Sequence, residues 1–450
     1  MSHFLAVFNF ADFVRMLADH WASEFRDLGD WPGGSFQSIA EYIDLFPIVV
    51  CLVWSIYGIN SLLRSFRKSH IPARLPGYSV LIPFYAEPLG ALHTAQSLAA
   101  VEPAPEEILL IDDGSPDEAE CAHVLAVLPP RTRVLRQPKN GGKAAALNAG
   151  LSETHSEVVV CLDADTIVRT DLWHEMLAHF ANSPGVGGVT GKIWAAAQKS
   201  LPQLMQSLDY LAVIGLVKNA EDRWGGLMTV SGAWVAFRRA ALEAIGGWNE
   251  QTAAEDIDLS WRMQAAGWRI VYERRWIACV EMVPTWSALW RQRRRWSRGL
   301  GRAVREHFGG AMRAGATHVP VAMITVLGAG WLWASLAVGV VRLSFIARGF
   351  MHGQWAPHAA VWSRMLVYVS ICFGFFVVQL LIATLLDRER WRLYPRLFLL
   401  APFYTFYFWA ISLTTFVVGF PQGFLRQDRG KWRRTLRDAE LITGAPAELQ

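Results

Sequence analysis

Asp163-Ala164-Asp165 follows the apolar run VVVCL. Two carboxylates one residue apart at the edge of a buried strand repel unless a cation sits near them. Mg2+ or Mn2+ shared with a diphosphate is the usual partner, and it neutralises charge on a leaving nucleotide. The plainer alternative is a polar loop after a strand. Asp112-Asp113-Gly114-Ser115 ends the run ILLI. It reads either as turn chemistry or as a carboxylate that accepts hydrogen bonds from a base or ribose. Lys139-Asn140-Gly141-Gly142-Lys143 leads into a helical pattern. Its glycines let backbone approach a ligand, and Lys143 either meets phosphate or is solvated. Thr252 with Glu255 three residues on reads as a capping box. That accounts for both residues but not for Asp256 and Asp258 behind them. An aspartate in the first turn of a helix beside a cleft can serve as general base. Gln292, Arg295 and Trp296 fall at i, i+3 and i+4, so they share a helix face. Amide, guanidinium and indole together suit a diphosphate and a sugar ring. The surrounding segment, 286–308, also reads as an arginine-rich amphipathic helix lying on a lipid surface.

Strands and helices must hold these groups. Apolar runs at 78–83, 108–111, 132–136 and 157–162 alternate with helical patterns to about 101, over 117–127 and over 142–151. Strands alternating with helices predict a mostly parallel, doubly wound α/β sheet. Both acidic motifs then stand at the carboxyl ends of strands, where such sheets bind ligands. The helix opened by Glu255 is expected to run to Ala266 and stop at Gly267. No GxGxxG is present, which excludes the dinucleotide version of the fold.

The 450 residues exceed one ordinary core. The chain is 52% hydrophobic and only 18% charged, a balance that leans towards lipid and excludes intrinsic disorder. Five cysteines without a CxxC exclude a disulfide scaffold and a zinc ribbon. A net charge of +4, with Lys and Arg clustered beside apolar runs, suits a membrane surface better than nucleic acid. Spans are expected at about 45–63, 319–341, 365–386 and 397–424, each near the ~20 residues a helix needs to cross a bilayer. No secretory leader is expected. Seven acids and two arginines in 1–44, against Arg64, Arg67, Lys68 and Arg74 just beyond, put residues 64 onward in the cytoplasm. The basic end (Arg426 to Arg437) argues for the same side, which three simple spans after 310 would not allow. Run 397–424, with Pro402 and Pro421, is long for one span and short for two; a bent or partly re-entrant segment is one reading, and the conflict stays open. The expected divisions are 1–68, an N-terminal segment with one span; 69–285, the α/β domain; 286–316, the amphipathic helix; 317–424, the membrane region; and 425–450, a basic tail.

In order, IPFYAE (82–87), DDGS (112–115), GGKAAALN (141–148), DAD (163–165), AED (254–256) and QRRRW (292–296) resemble the motif set of processive family 2 glycosyltransferases. VGGVTGK (186–192), residues 207–239 and AEDIDLSWRM (254–263) are most similar to bacterial poly-β-1,6-N-acetylglucosamine synthases. Hyaluronan, chitin-oligosaccharide and cellulose synthases share the motifs with less likeness through 207–239. Ala254 departs from the usual threonine and leaves Glu255 and Asp256 intact.

The resemblance implies a cytoplasmic GT-A domain with transmembrane and interfacial helices in a bacterial inner membrane. It implies a UDP-sugar donor, a growing polysaccharide and Mg2+ or Mn2+. Tyr85, Glu87, Asp113 and Lys143 would hold the nucleotide. Asp163 and especially Asp165 would act at the metal–diphosphate, and Asp256, beside Glu255, would deprotonate the acceptor. Ser231 and Gly232 would lie near the acceptor sugar. Gln292, Arg295 and Trp296 would hold the diphosphate and the acceptor end. A small membrane helper subunit and cyclic di-GMP control are known in that family, and this sequence shows neither. Two alternatives remain: a non-processive transferase acting on a lipid carrier, and a membrane scaffold whose α/β domain only binds nucleotide.

Overall fold

The computed structural model describes residues 34–64, 70–196, 198–252, 254–314, 319–351, 370–371, 373–385 and 395–425. The expected basic tail beyond 425 and the start of the N-terminal segment lie outside them. The elements in chain order are α1 (Gly34–Arg64), β1 (Tyr78–Phe84), α2 (Pro88–Ser97), β2 (Glu107–Asp112), α3 (Glu118–Val124), β3 (Thr132–Arg136), α4 (Lys143–Glu153), β4 (Val158–Leu162), β5 (Thr166–Val168), α5 (Trp173–Asn182), β6 (Val186–Ala195), α6 (Leu201–Leu208), a π-helical turn (Asp209–Ile214), α7 (Gly215–Trp224), β7 (Trp234–Arg238), α8 (Arg239–Ala244), α9 (Glu255–Ala265), β8 (Arg269–Val280), α10 (Trp286–Ala314), α11 (Val319–Met351), α12 (Phe373–Leu385) and α13 (Pro395–Leu425).

Eight strands form one sheet in the order β3-β2-β1-β4-β7-β6-β8-β5. β3, β2, β1 and β4 are parallel neighbours, as the alternating pattern predicts. β7 then runs antiparallel to both β4 and β6, and β5 antiparallel to β8, so the sheet is mixed. β1, β4 and β6 are buried on both faces, which is why they read as continuous apolar runs. Their alternate residues feed two cores. Val80, Ile82, Leu110 and Val160 face one side, and Leu81, Leu109, Ile111 and Val159 the other. On the first side Trp173 meets Trp234 and Trp276 edge-on at 5.5 Å each and stacks on Tyr78 at 5.4 Å. Gly191 lets β6 pass these rings: a Cβ there would stand 2.0 Å from Trp234 Nε1.

The capping box does not form. α9 starts at Glu255 with Ala254 as N-cap, so Glu255 is one residue from the cap instead of three. The Thr252 hydroxyl accepts from the Ala254 N–H at 3.3 Å, and the Glu255 side chain turns elsewhere. At its far end α9 stops where expected, with Gly267 left-handed at φ +87°.

Among the described residues, one helix is long and apolar enough to cross a membrane, over Pro402–Leu425. The apolar stretches Ile48–Asn60, Thr325–Val341 and Phe373–Leu385 are helical but shorter. α13 is one continuous helix with Pro402 and Pro421 inside it, not two segments. The described residues divide into two compact units: 34–50 with 330–351 and 370–371, and the remainder. In the first, the Trp331 indole donates to the Ile43 carbonyl at 2.6 Å and stacks on Phe46. In the second, α10 and α13 approach backbone to backbone. A Cβ on Gly423 would lie 1.8 Å from the Arg298 carbonyl oxygen, one on Gly419 2.7 Å from that of Arg294, and one on Gly301 2.2 Å from that of Phe420.

Candidate active site

The carboxyl ends of β1, β2 and β4 open on one edge of the sheet, and the loops leaving them interlock. Asp112 accepts from the Ser115 N–H at 2.8 Å and pairs with Arg136. The Ser115 hydroxyl in turn accepts from the Ala86 N–H at 2.8 Å. That bond ties the turn carrying Tyr85 and Glu87 to the turn after β2. Asp113 is fully buried, and its two oxygens accept from the N–H groups of Gly141 (3.0 Å) and Gly142 (2.8 Å). Burial pushes its pKa up, and these two amides pull it back. The carboxylate therefore anchors the glycine loop just ahead of α4.

Lys143, the first residue of α4, reaches across the cleft. Its ammonium donates to Asp163 and, at 3.1 Å, to the Gly232 carbonyl, and stands 3.3 Å from Glu255. Burial opposes its charge, but Asp163, Glu255 and Asp256 outweigh that and hold its pKa above the ordinary lysine value. The residue is no solvated loop lysine. Glu255 is available for it because no capping box claims the side chain. Asp256 lies beside Gly232, where a Cβ would come 3.1 Å from its Oδ2. Burial, then the Glu255 charge, push Asp256 up to about 6 against Lys143, Arg295 and the Ile257 N–H. Asp165 is buried, at 6% exposure, on the turn between β4 and β5. The Ser231 N–H donates to Thr190 Oγ1 at 2.9 Å, which fixes that residue's loop to β6.

The structure thus gathers Lys143, Asp163, Gly232, Glu255 and Asp256 from four separate stretches, with Arg295 within electrostatic reach. Gln292 and Trp296 share α10 with Arg295 but are not part of the hydrogen-bonded cluster among the described residues. The Trp296 ring instead lies 4.5 Å from the Arg293 guanidinium. Two groups escaped the sequence reading. Tyr210 is half-buried, and burial pushes its pKa up, with Arg293 lowering it and Asp209, Asp256 and Asp163 raising it further. The buried pair Lys218 and Glu221 holds the 225–233 loop from below, Lys218 donating to the Thr229 carbonyl at 2.5 Å and Glu221 accepting from the Met228 N–H at 3.1 Å. Their i, i+3 spacing on α7 was the one available signal.

Asp163 and Asp165, two hard oxygen donors on one turn, suit Mg2+ or Mn2+. Asp258, Glu306 and His307 also come within 4.8 Å of one another. Arg262 pairs with Asp258 within α9, Arg302 and Arg305 with Glu306 within α10, and the His307 ring nitrogen bonds Asp258 across the two helices at 2.8 Å. That second group is a salt-bridge network binding α9 to α10, with guanidiniums where a cation would sit.

The mixed, mostly parallel sheet has the GT-A architecture, with the Asp163 turn at its carboxyl edge joined by Lys143 to the start of α9. Residues 76–299 match the family model described as glycosyltransferase like family 2, and the chain carries a family 2 glycosyltransferase domain. It is 25% identical to the poly-β-1,6-N-acetyl-D-glucosamine synthase of Staphylococcus epidermidis over 404 residues, covering 87% of this chain and 96% of that one. With the enzyme of that name from Staphylococcus aureus (strain COL) it shares 34% identity over 227 residues, covering 50% of this chain and 55% of the other. A mannosyltransferase from Pyrobaculum calidifontis, solved with GDP-Man and Mn2+, has the same fold at TM-score 0.55 and 19% identity, covering 79% of this chain and 99% of that one.

Proposed function

We propose that the chain is a membrane-embedded processive synthase that polymerises β-linked N-acetylglucosamine from UDP-N-acetylglucosamine, with inversion, and couples synthesis to export. The observation that carries the reading is the convergence of Lys143, Asp163, Glu255 and Asp256 at the carboxyl edge of the sheet. The names of the two staphylococcal relatives support the polymer. Exposed Leu399, Phe403, Phe406 and Leu425 on α13 support contact with lipid.

Asp256, with a pKa of about 6, is largely ionised at neutral pH and basic enough to take a proton. It removes the proton from the acceptor hydroxyl as that oxygen bonds to the anomeric carbon. The bond from that carbon to the diphosphate breaks on the opposite side, and UDP leaves with the electron pair. One displacement inverts an α-linked donor into a β-linkage, so no carboxylate nucleophile is required. Lys143 orients the glycine loop and Asp163 and balances the acidic cleft. Asp165 and Asp163 would hold Mg2+ or Mn2+, which neutralises charge on the diphosphate when bound. Tyr85, Glu87 and Asp113 line the nucleotide side. Ser231, Gly232, Gln292, Arg295 and Trp296 line the acceptor side.

The test is incorporation of radiolabelled UDP-N-acetylglucosamine by purified membranes with Mg2+ or Mn2+, resolved by product length. Long products and loss of UDP release in Asp256→Asn are expected. Incorporation of a different UDP-sugar instead would overturn the substrate. Only short, discrete products would overturn processivity, and full UDP release by Asp256→Asn would overturn the base.

A further inference from the structure

The QRRRW segment places three residues on its acceptor-facing side, and Arg293 is not one of them. One position beyond Gln292, it points roughly a quarter-turn away, into the protein. There it meets Asp209, the first residue of the π-helical turn, at 2.8 Å. Asp209 is buried at 5% exposure and carries two further donors. The Tyr404 hydroxyl donates to its Oδ1, and the Tyr407 hydroxyl donates to its Oδ2 at 2.8 Å. Both tyrosines come from α13, almost two hundred residues later. Arg293, Asp209 and the two phenols therefore close a neutral knot between three elements, in which the carboxylate is bonded through both oxygens while Arg293 Nε stays without a hydrogen-bond partner among the described residues. A buried carboxylate and guanidinium persist only with such partners.

The knot has an outlet on each side. The Arg293 guanidinium lies over the Trp296 ring at 4.5 Å, a cation–π contact that fixes the plane of the indole while leaving the ring half-buried. The residue after Asp209, Tyr210, lies in the field of Asp256 and Asp163. π-turns widen a helix and often stand at functional sites. Here Asp209 opens the turn and is held by α10 and α13, and Tyr210, next to it, feels Arg293 and Asp209 first and Asp256 and Asp163 after them.

We propose that Asp209 and Arg293 are positioning residues: Asp209, held by Tyr404 and Tyr407, fixes Arg293 beneath the Trp296 indole and so orients that ring as the platform for the acceptor sugar. The inference rests on the reading of the site as a glycan synthase. It goes beyond that reading by giving a role to an arginine outside the shared motif face, to an aspartate in no motif, and to two tyrosines of the apolar helix α13. The ring is thereby tied to α13, so a shift of that helix reaches it through the tyrosine hydrogen bonds, the Asp209–Arg293 ion pair and the cation–π contact.

The test uses the full chain in detergent, with UDP-N-acetylglucosamine as donor and a β-1,6-linked N-acetylglucosamine pentasaccharide as acceptor. Asp209→Asn is expected to raise the KM for the pentasaccharide about tenfold, the scale of one lost cation–π or charge-assisted contact. The donor KM should stay within about twofold of wild type, because no contact to the donor side is removed. Arg293→Lys keeps the ion pair but loses the flat guanidinium, so it should fold and show the same acceptor defect. Tyr407→Phe, which removes one donor and keeps the ring, should give a smaller defect of the same kind. Wild-type acceptor KM in Arg293→Lys would overturn the proposal. So would donor and acceptor KM rising by equal factors in Asp209→Asn, the signature of a merely structural role. Should Asp209→Asn fail to fold, Arg293→Lys decides. A wild-type chain that releases no UDP from any UDP-sugar would instead sink the functional reading, so the two failures are distinguishable.

Discussion

The contact between α10 and α13 is a close backbone-to-backbone joint in the catalytic unit, and Gly423→Ala tests it. The new Cβ would fall 1.8 Å from the Arg298 carbonyl oxygen, and that oxygen is backbone, with no rotamer into which it can retreat. An ordinary carbon–oxygen contact is about 3.3 Å, so the helices must part by about 1.5 Å. Overpacking of this kind typically costs about 1–3 kcal/mol. The catalytic effect is expected to be larger than the effect on stability, because Arg298 lies less than one turn beyond Arg295 and Trp296 on the same helix. A displacement of about 1 Å at a reacting site can cost about a hundredfold in rate. UDP release by the detergent-solubilised variant should therefore fall by about one to two orders of magnitude while the protein still elutes as a folded species. Gly310→Ala is the control. It lies on the same helix but its added methyl meets nothing within 4 Å, so activity should be unchanged and helix propensity slightly better. Activity of Gly423→Ala within about threefold of wild type would refute the reasoning, because α10 would then tolerate the separation without disturbing the site.

Three further outcomes follow from the same structure. The kcat/KM for UDP release should rise with pH through about 6 and level off above 7, because Asp256 acts as the ionised base and is pushed up to about 6; an acid limb near the ordinary carboxylate value would count against it. With the folded value above the unfolded one, the Asp256 contribution favours the fold below its unfolded pKa and is lost as pH rises through 6, so Asp256→Asn should melt higher than wild type at pH 8 although inactive. Trp173→Ala should cost about 3–5 kcal/mol, seen as a large drop in melting temperature, because it empties the centre of the tryptophan cluster.

Much of the domain was legible along the chain. β1, β2, β3 and β4 appear as apolar runs, and the acidic turns fall at the carboxyl ends of β2 and β4. The helix stop at Gly267 is also visible, because a left-handed residue is a local backbone requirement. Gln292, Arg295 and Trp296 share a face by helical period alone. The antiparallel insertion of β7 was not legible, since its five residues look the same whichever neighbour they pair with. Thr252 and Glu255 matched a local capping rule that the fold overrode, because the helix begins at Glu255 with Ala254 as its N-cap and the freed carboxylate meets Lys143.

What the sequence by itself determined is therefore what depends on short-range sterics and periodicity: which segments are strands or helices, and which residue types sit at their ends. Only the tertiary structure decided which of those ends meet. Asp113 shows no partner among its sequence neighbours, yet the Gly141 and Gly142 amides bind both its oxygens. Asp209 carries no motif, yet it is held by tyrosines brought from the far end of the chain. Such pairings are set by which surfaces close on one another, and charge compensation in a buried place is a property of that closure, which no stretch of neighbouring residues encodes.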